Sequence, residues 1–380
     1  MKRMRLWKRA SGVLKDRYRI WVAKVSPYGP CRNPDLETLI IKATSHDEQC
    51  MDYKNVQRVF QWLRTSPLYL KPLLCGLSMR IQRTRSWVVA LKGLMLTHGV
   101  YSFDLPMVQS MGRLPFDLSH FSDGHLSPEK GWVFNAFVRS YFAYLDQRSV
   151  ILREEANKLQ NKKGKESEEI PLIEELKNLE ELQKLIDMLL QIKPKSEMSM
   201  KIVLILEAMD CVMDEILEVY GKFSKEINRV LLRVCDIGGK EEACIGLDII
   251  RKAQLQGDKL SLYFDFCREI GVLNKSECPN ILRINEEEIE ELKRIKNKDE
   301  EKAIVVRNDY EQLKNGLKTT VITDQWEVFV DDVIVDVQQH VPNVTTLCVI
   351  HTNNPFVDEC YSSVPYDPVQ NYELPDLISL

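Results

Sequence analysis

The sequence predicts an all-α protein, an antiparallel helical solenoid followed by a largely disordered C-terminal tail. Three observations predict it. Apolar residues recur at helical spacing through most of the first 300 positions. Pro67, Pro72, Pro106, Pro115, Pro128, Pro171 and Pro194 fall between the periodic segments, where they read as stops. The joining segments are short, so successive helices turn back and stack. No repeat of fixed period is present, which separates the chain from consensus-repeat arrays. With 380 residues and 44% hydrophobic content, a sizeable core can be buried.

Each element has its own signal. Residues 5–25 place Leu6, Ala10, Val13 or Leu14, Tyr18 and Trp21 or Val22 along one stripe, with cations around the rest. The stripe is expected to pack mostly on the next helix and to leave the cations outward. Val56, Val59, Phe60 and Leu63 predict a short helix over 55–63. Trp87, Leu91, Leu94 and His98 share a face over 86–98, and Trp132, Phe134, Phe137, Tyr141 and Leu145 share one over 131–147. The run NKKGKESEE reads as a mobile loop within 158–170. Further helices are predicted over 171–192, 198–235, 240–271 and 285–297. A domain of residues 1–300 results. Residues 319–341 fit a helix or a strand equally, so 301–352 stay an unassigned extension. The stretch 353–380 holds Pro, Ser, Asn and Tyr without periodicity and reads as disordered.

Charge is distributed unevenly. The net charge is −4, yet residues 1–25 carry nine Lys or Arg against one acid, Asp16. Residues 286–301 are rich in Glu, with a few Lys and Arg. A basic front end suits an anionic partner, either a cytoplasmic leaflet or a nucleic acid. No RNA motif or DNA-reading module accompanies it, so no nucleic-acid partner is expected. Ten cysteines show no CxxC and no Cys/His cluster, the pattern of buried reduced thiols in a cytosolic protein. No apolar run approaches the length of a spanning helix. The acid-free residues 1–15 also fit a mitochondrial presequence, which leaves a mitochondrial helical protein as one alternative.

No GxSxG, Walker loop, HExxH or dinucleotide fingerprint is present. His120 and His125 sit in a Pro/Ser/Asp loop without metal-ligand spacing. The chain is therefore expected to be no enzyme, with no catalytic residues, no cofactor and no metal. Trp87 and His98 read as packed core residues.

Three segments carry a resemblance. IKATSHDEQCMDYKN holds Lys42-Ala43-Thr44 and, twelve residues after Lys42, Lys54-Asn55. RTRSWVVALKGLMLTHG and FNAFVRSYFAYLDQR follow. Together they resemble the ANTH domain of clathrin assembly proteins, closest to the plant members. The resemblance implies an ENTH/ANTH-like superhelix and an endocytic adaptor, peripheral on clathrin-coated pits and vesicles and in part on Golgi membranes. It implies a phosphoinositide headgroup site at Lys42, His46, Lys54 and Arg58, where several cations and helix N-terminal amides grip phosphates. Asp52 and Asn55 depart from the family pattern, standing where it has Lys and His. Losing one cation and gaining one acid weakens such a site by roughly 2 kcal/mol. Without the resemblance, Lys42 and Lys54 read as solvated lysines flanking a turn, and a helical interaction scaffold without lipid binding is the second alternative. Lys8, Arg9 and Lys15 of the first helix are expected to face the membrane and to compensate.

The tail adds two short patterns. Asn354-Pro355-Phe356 is the tripeptide that EH domains recognise, and Leu377-Ile378-Ser379-Leu380 resembles a clathrin box whose acid the terminal carboxylate supplies. Clathrin and EH-domain proteins are the partners implied. The stretch GLDIIRKAQLQGDKLSLYFDFCREIG, residues 246–271, resembles the region that binds vesicle SNAREs in the family.

Overall fold

A computed structural model describes residues 2–25, 32–103, 105–162, 170–273, 279, 281–283 and 285–297, with the side chains of 2–10 and 159–162 outside the description. Among the described residues every regular element is a helix. In chain order these are α1 (Lys2–Val25), α2 (Pro34–Ala43), α3 (Tyr53–Thr65), α4 (Leu70–Gln82), α5 (Trp87–Tyr101), α6 (Pro106–Gln109), α7 (Pro128–Lys162), α8 (Leu172–Leu189), α9 (Val203–Ile237) and α10 (Lys240–Glu269), then α11 over 286–297. Helices α2, α4 and α6 have no counterpart in the sequence reading. The loop expected over 158–170 begins later, since α7 runs through Lys162. Pro72 is no stop; it lies in the first turn of α4, where a missing N–H costs no helix bond. Pro106 and Pro128 open helices, and Pro171 is the N-cap of α8. The ambiguous segment 319–341 and the tail motifs lie outside the described residues.

Helix packing follows chain order. Helix α1 packs on α2, α2 on α3 and α4, and α4 on α5; farther along, α7, α8, α9 and α10 pack in succession. Helix α5 touches both α7 and α9 and is the centre of the stack. Thirteen of its fifteen residues are buried, so it is apolar all round and not amphipathic. Trp87 stacks on Phe134 with ring centroids 4.3 Å apart. Trp132, expected on the same face as Phe134, is exposed instead. The last turn of α10 closes on Gly271 at φ +80°, and the Val272 N–H reaches back to the Cys267 carbonyl at 2.9 Å. A side chain there would be strained, which is why glycine ends this helix.

The core also holds a polar cluster. His98 is buried as expected, but it is not merely packed. Its Nδ1 lies 2.7 Å from the Tyr141 hydroxyl and its Nε2 3.1 Å from Glu215 Oε2. Tyr144 donates its hydroxyl to Glu215, and Arg148 Nε lies 3.3 Å from the same carboxylate. Three helices, α5, α7 and α9, are tied by this one acid. Burial pushes the Glu215 carboxyl up. Hydrogen bonds from His98 and Tyr144, with the charges of His98 and Arg148, outweigh that and hold it at about 2. Farther along, Glu175 of α8 is gripped by Arg229 at 2.8 Å and Arg233 at 2.5 Å, both from α9.

A testable consequence concerns acid. The Glu215 carboxyl is held from 4.5 down to about 2, so its contribution, about 3 kcal/mol, is complete above pH ~4.5 and is lost as pH falls toward 2. Glu215→Gln is expected to melt lower at neutral pH and to show a shallower loss of melting temperature between about pH 5 and 2. Parallel melting curves for the two chains across that range would refute the assignment.

Candidate functional site

The site begins with how α1 meets the body. A glycine, an acid and an alanine (Gly12, Asp16, Ala23) fall on one side of α1. Gly12 and Ala23 are buried. A Cβ on Gly12 would stand 2.7 Å from His46 Cβ, so only glycine lets the helix approach this closely. The Asp16 carboxylate then reaches the turn after α2. It accepts from the His46 backbone N–H at 3.0 Å, from His46 Nδ1 at 2.9 Å and from Arg80 Nη2 at 2.6 Å. Arg80, only 4% exposed, also donates from Nε to Thr44 Oγ1 at 3.1 Å and from Nη2 to the Thr44 carbonyl at 2.8 Å. Burial raises the Asp16 carboxyl, but the His46 hydrogen bond and the Arg80 charge outweigh it and hold the carboxyl below its usual value.

The opposite side of α1 corrects the expectation drawn from its stripe. Leu14, Tyr18, Trp21 and Val25 are 66%, 65%, 60% and 62% exposed. They stand at i, i+4, i+7 and i+11, so they form one outward apolar ridge and not a core face. Exposed Arg17 and Lys24 flank the ridge on one side and exposed Lys15 on the other. The physical reason is that α1 docks by small and ionic contacts, which turns these large apolar groups away from the other described helices. The side chains of Lys8 and Arg9 lie outside the described residues.

The loop motif resolves into structural and exposed members. Ala43 and Thr44 are fully buried, and Thr44 caps α2 with its hydroxyl on the Ile40 carbonyl at 2.7 Å. Lys42 is exposed in the last turn of α2. Lys54 and Arg58 are exposed on α3 at i and i+4, hence neighbours on one face. His46 is turned toward α1 and held by Asp16. Asp52 and Asn55 have a local task. Asp52 is the N-cap of α3, accepting from the Asn55 backbone N–H at 3.1 Å, and the Asn55 side-chain amide donates to its other oxygen at 2.6 Å.

Two side chains from distant helices, Lys92 and Glu207, fix this loop from beneath, and sequence reasoning missed both. Lys92 of α5 is fully buried with Nζ 3.3 Å from Ser45 Oγ. Burial pushes its ammonium down; Asp47, Cys50, Glu207 and Asp16 pull it partly back. Glu207 of α9 accepts from the Met51 backbone N–H at 2.9 Å. A lone Lys inside VVALKGLML, and Arg80 inside an apolar helix, were the available signals: a buried cation implies a partner. Among the described residues no cluster of His, Cys, Asp or Glu suits a metal. No described helix is long and apolar enough to cross a membrane.

Comparison with known proteins matches the ANTH domain to residues 35–298, so the match begins after α1. Two Arabidopsis thaliana proteins, each named "Putative clathrin assembly protein", are 46% identical over 336 residues, covering 87% of this chain and 88% of the other, and 43% identical over 346 residues, covering 87% and 89%. The clathrin coat assembly protein AP180 of the same plant is 28% identical over 324 residues, covering 75% of this chain and 48% of its own length.

Because Asp52 is a helix cap, Asp52→Lys with Asn55→His is expected to cost about 1 kcal/mol of stability. A melting temperature lowered by a few degrees is the expected reading. An unchanged one would mean that the cap is not used.

Proposed function

Because the chain belongs to the ANTH-domain family, which it shares with plant clathrin assembly proteins, we propose that it is a clathrin adaptor that holds the cytoplasmic leaflet through α1 and the exposed cations at the end of α2 and the start of α3. One observation carries the reading: a docked helix that presents a ridge of Leu14, Tyr18, Trp21 and Val25 between Lys15 on one flank and Arg17 and Lys24 on the other. Such a face lies in a membrane interface, with apolar groups among the acyl chains and cations at anionic headgroups. Lys42, Lys54 and Arg58 extend the basic surface, and the phosphoinositide headgroup is their proposed ligand. Coat recruitment falls to the tail, with Phe356 of Asn354-Pro355-Phe356 for EH-domain proteins and Leu377, Ile378 and Leu380 for clathrin. In α10, Leu255 and Leu262 are exposed one heptad apart within residues 246–271, which supports a helical vesicle SNARE as the partner there.

The scaffold reading without lipid binding draws on Asp52 and Asn55, which are engaged in capping and offer no cation. The exposed ridge favours the membrane. A cleaved mitochondrial leader fits poorly with a helix held to the body by Asp16.

The test is co-sedimentation of the full chain with anionic vesicles. Leu14→Ser with Trp21→Ser removes two partly exposed apolar groups, each worth about 1 kcal/mol or more on burial, so binding is expected to fall at least about tenfold. Binding that is unchanged in this variant, or absent in the parent chain, would overturn the proposal.

A further inference from the structure

Between the end of α8 and the second half of α10 lies a groove of about 510 Å³. Leu190, Leu262, Tyr263 and Phe266 give it apolar walls, and Lys193 and Lys259 line it as well. Hydrogen bonds between the two helices hold its shape. Tyr263 donates its hydroxyl to the Ile192 carbonyl at 2.7 Å, and the Gln256 side chain donates to the Gln183 carbonyl at 2.7 Å. Asp187, the acid among the lining residues, is paired with Lys252 at 3.2 Å, so the lining is left basic. Both Lys193 and Lys259 are exposed. Leu262 is 71% exposed, and Leu255, one heptad before it, is 58% exposed. Ridge and groove thus form one apolar face. Helix α11 does not cover it: Leu292 packs beside Gly246, and Gly257 faces Ile281. At 100° per residue, Leu255 and Leu262 stand roughly 160–180° around α10 from Gly246.

The chain carries a segment that matches this face. Trp326, Val330, Val333 and Val337 stand at i, i+4, i+7 and i+11, which is one side of a helix. Asp332 and Asp336 fall on one flank of that stripe and Glu327 on the other. Residues 319–341 hold five acids and no Lys or Arg, so an apolar stripe with acidic flanks meets an apolar groove with two lysines. The outer flank of α10 bears exposed Asp258 and Asp265, which directs the acids toward α8. A strand finds no sheet edge to pair with, because every regular element among the described residues is a helix. Reach also suffices. Leu262 lies sixteen residues beyond Gly246, about 24 Å along α10. Residues 298–325 join α11 to Trp326, and a coil of that length spans roughly 30 Å.

We propose that residues 324–337 dock as a helix on the α8–α10 face of their own chain. Trp326, Val330, Val333 and Val337 cover Leu255, Leu262 and the groove, and the acids meet Lys193 and Lys259. The face is then closed to any helical partner until the segment is displaced. This autoinhibition rests on neither the membrane reading nor the vesicle-SNARE reading.

Hydrogen exchange of the full chain, without lipid or partner and at two protein concentrations, tests it. Amides of 326–337 are expected to be protected at least about tenfold over free-peptide rates, equally at both concentrations, since protection reads the docking equilibrium. The face variant Leu255→Asp with Leu262→Asp is expected to lose that protection while α5 keeps its own. Thermal melts check folding. If the face variant melts early, Lys193→Glu with Lys259→Glu takes its place and is expected to lower protection about fivefold. Adding Asp332→Lys with Asp336→Lys to that chain is expected to restore it. Free-peptide exchange of 326–337 in the parent chain would leave the face to a partner helix and overturn the proposal. Protection that falls on dilution would assign the face to a second copy, and protection unchanged in the face and charge variants would place the segment elsewhere; either result overturns it too.

Discussion

The Asp16 carboxylate is the contact on which the outer architecture depends. It is one acid in a stretch of nine cations, and it closes a bridge between α1, the turn after α2 and Arg80 of α4. Arg80 is nearly inaccessible and has taken its remaining bonds from Thr44. Removing Asp16 would leave a buried guanidinium short of its counter-ion, a loss of about 3–5 kcal/mol by analogy with broken buried pairs. Gly12 adds the steric condition, since a larger residue would hold α1 away from His46. Once α1 is fixed, the outward ridge is fixed as well.

Beneath this contact the loop from Thr44 to Asp52 is held at several points. Lys92 supports it from α5, Glu207 from α9, and Asp52 caps the helix that follows. The same acid-with-cation logic recurs at Glu215, where α5, α7 and α9 meet, and at Glu175, where α8 meets α9. The solenoid is therefore an apolar stack pinned at intervals by buried or half-buried ion pairs. Desolvation offsets much of the attraction in such pairs, so breaking one by removing a single partner costs more than the intact pair contributes net.

Much of this was legible in the chain. Helices with a strong apolar pattern, α5, α9 and α10, emerged close to their observed bounds, α7 was expected only over 131–147 and runs on to Lys162, and the resemblance identified the family. Helix α2 was hidden because PDLETLIIKA buries Glu37 and Thr38 along with its apolar residues, which blurs the period. Helix α4 was hidden by Pro72 and by Gly76 and Ser78 inside it. The stripe of α1 was seen but turned the wrong way. Periodicity defines an apolar side; it does not say whether that side meets the core or a partner, and here Gly12, Asp16 and Ala23 were the docking face. The basic cleft between α1, α2 and the turn after α4 was out of reach because Lys15 and Arg19 come beside Arg83 and Arg85 only through the fold. His98 read as a packed residue because its partners, Tyr141 and Glu215, are 43 and 117 positions away.

The central claim is that α1 is already docked in the free chain, through Asp16, and is not first ordered by a membrane. Hydrogen exchange of the α1 amides in the absence of lipid tests this most directly. Protection of residues 12–25 at a level comparable with α2, with loss of that protection in Asp16→Ala while α5 stays protected, is the predicted result. Exchange of these amides in the parent chain at the rate of a free peptide would contradict it.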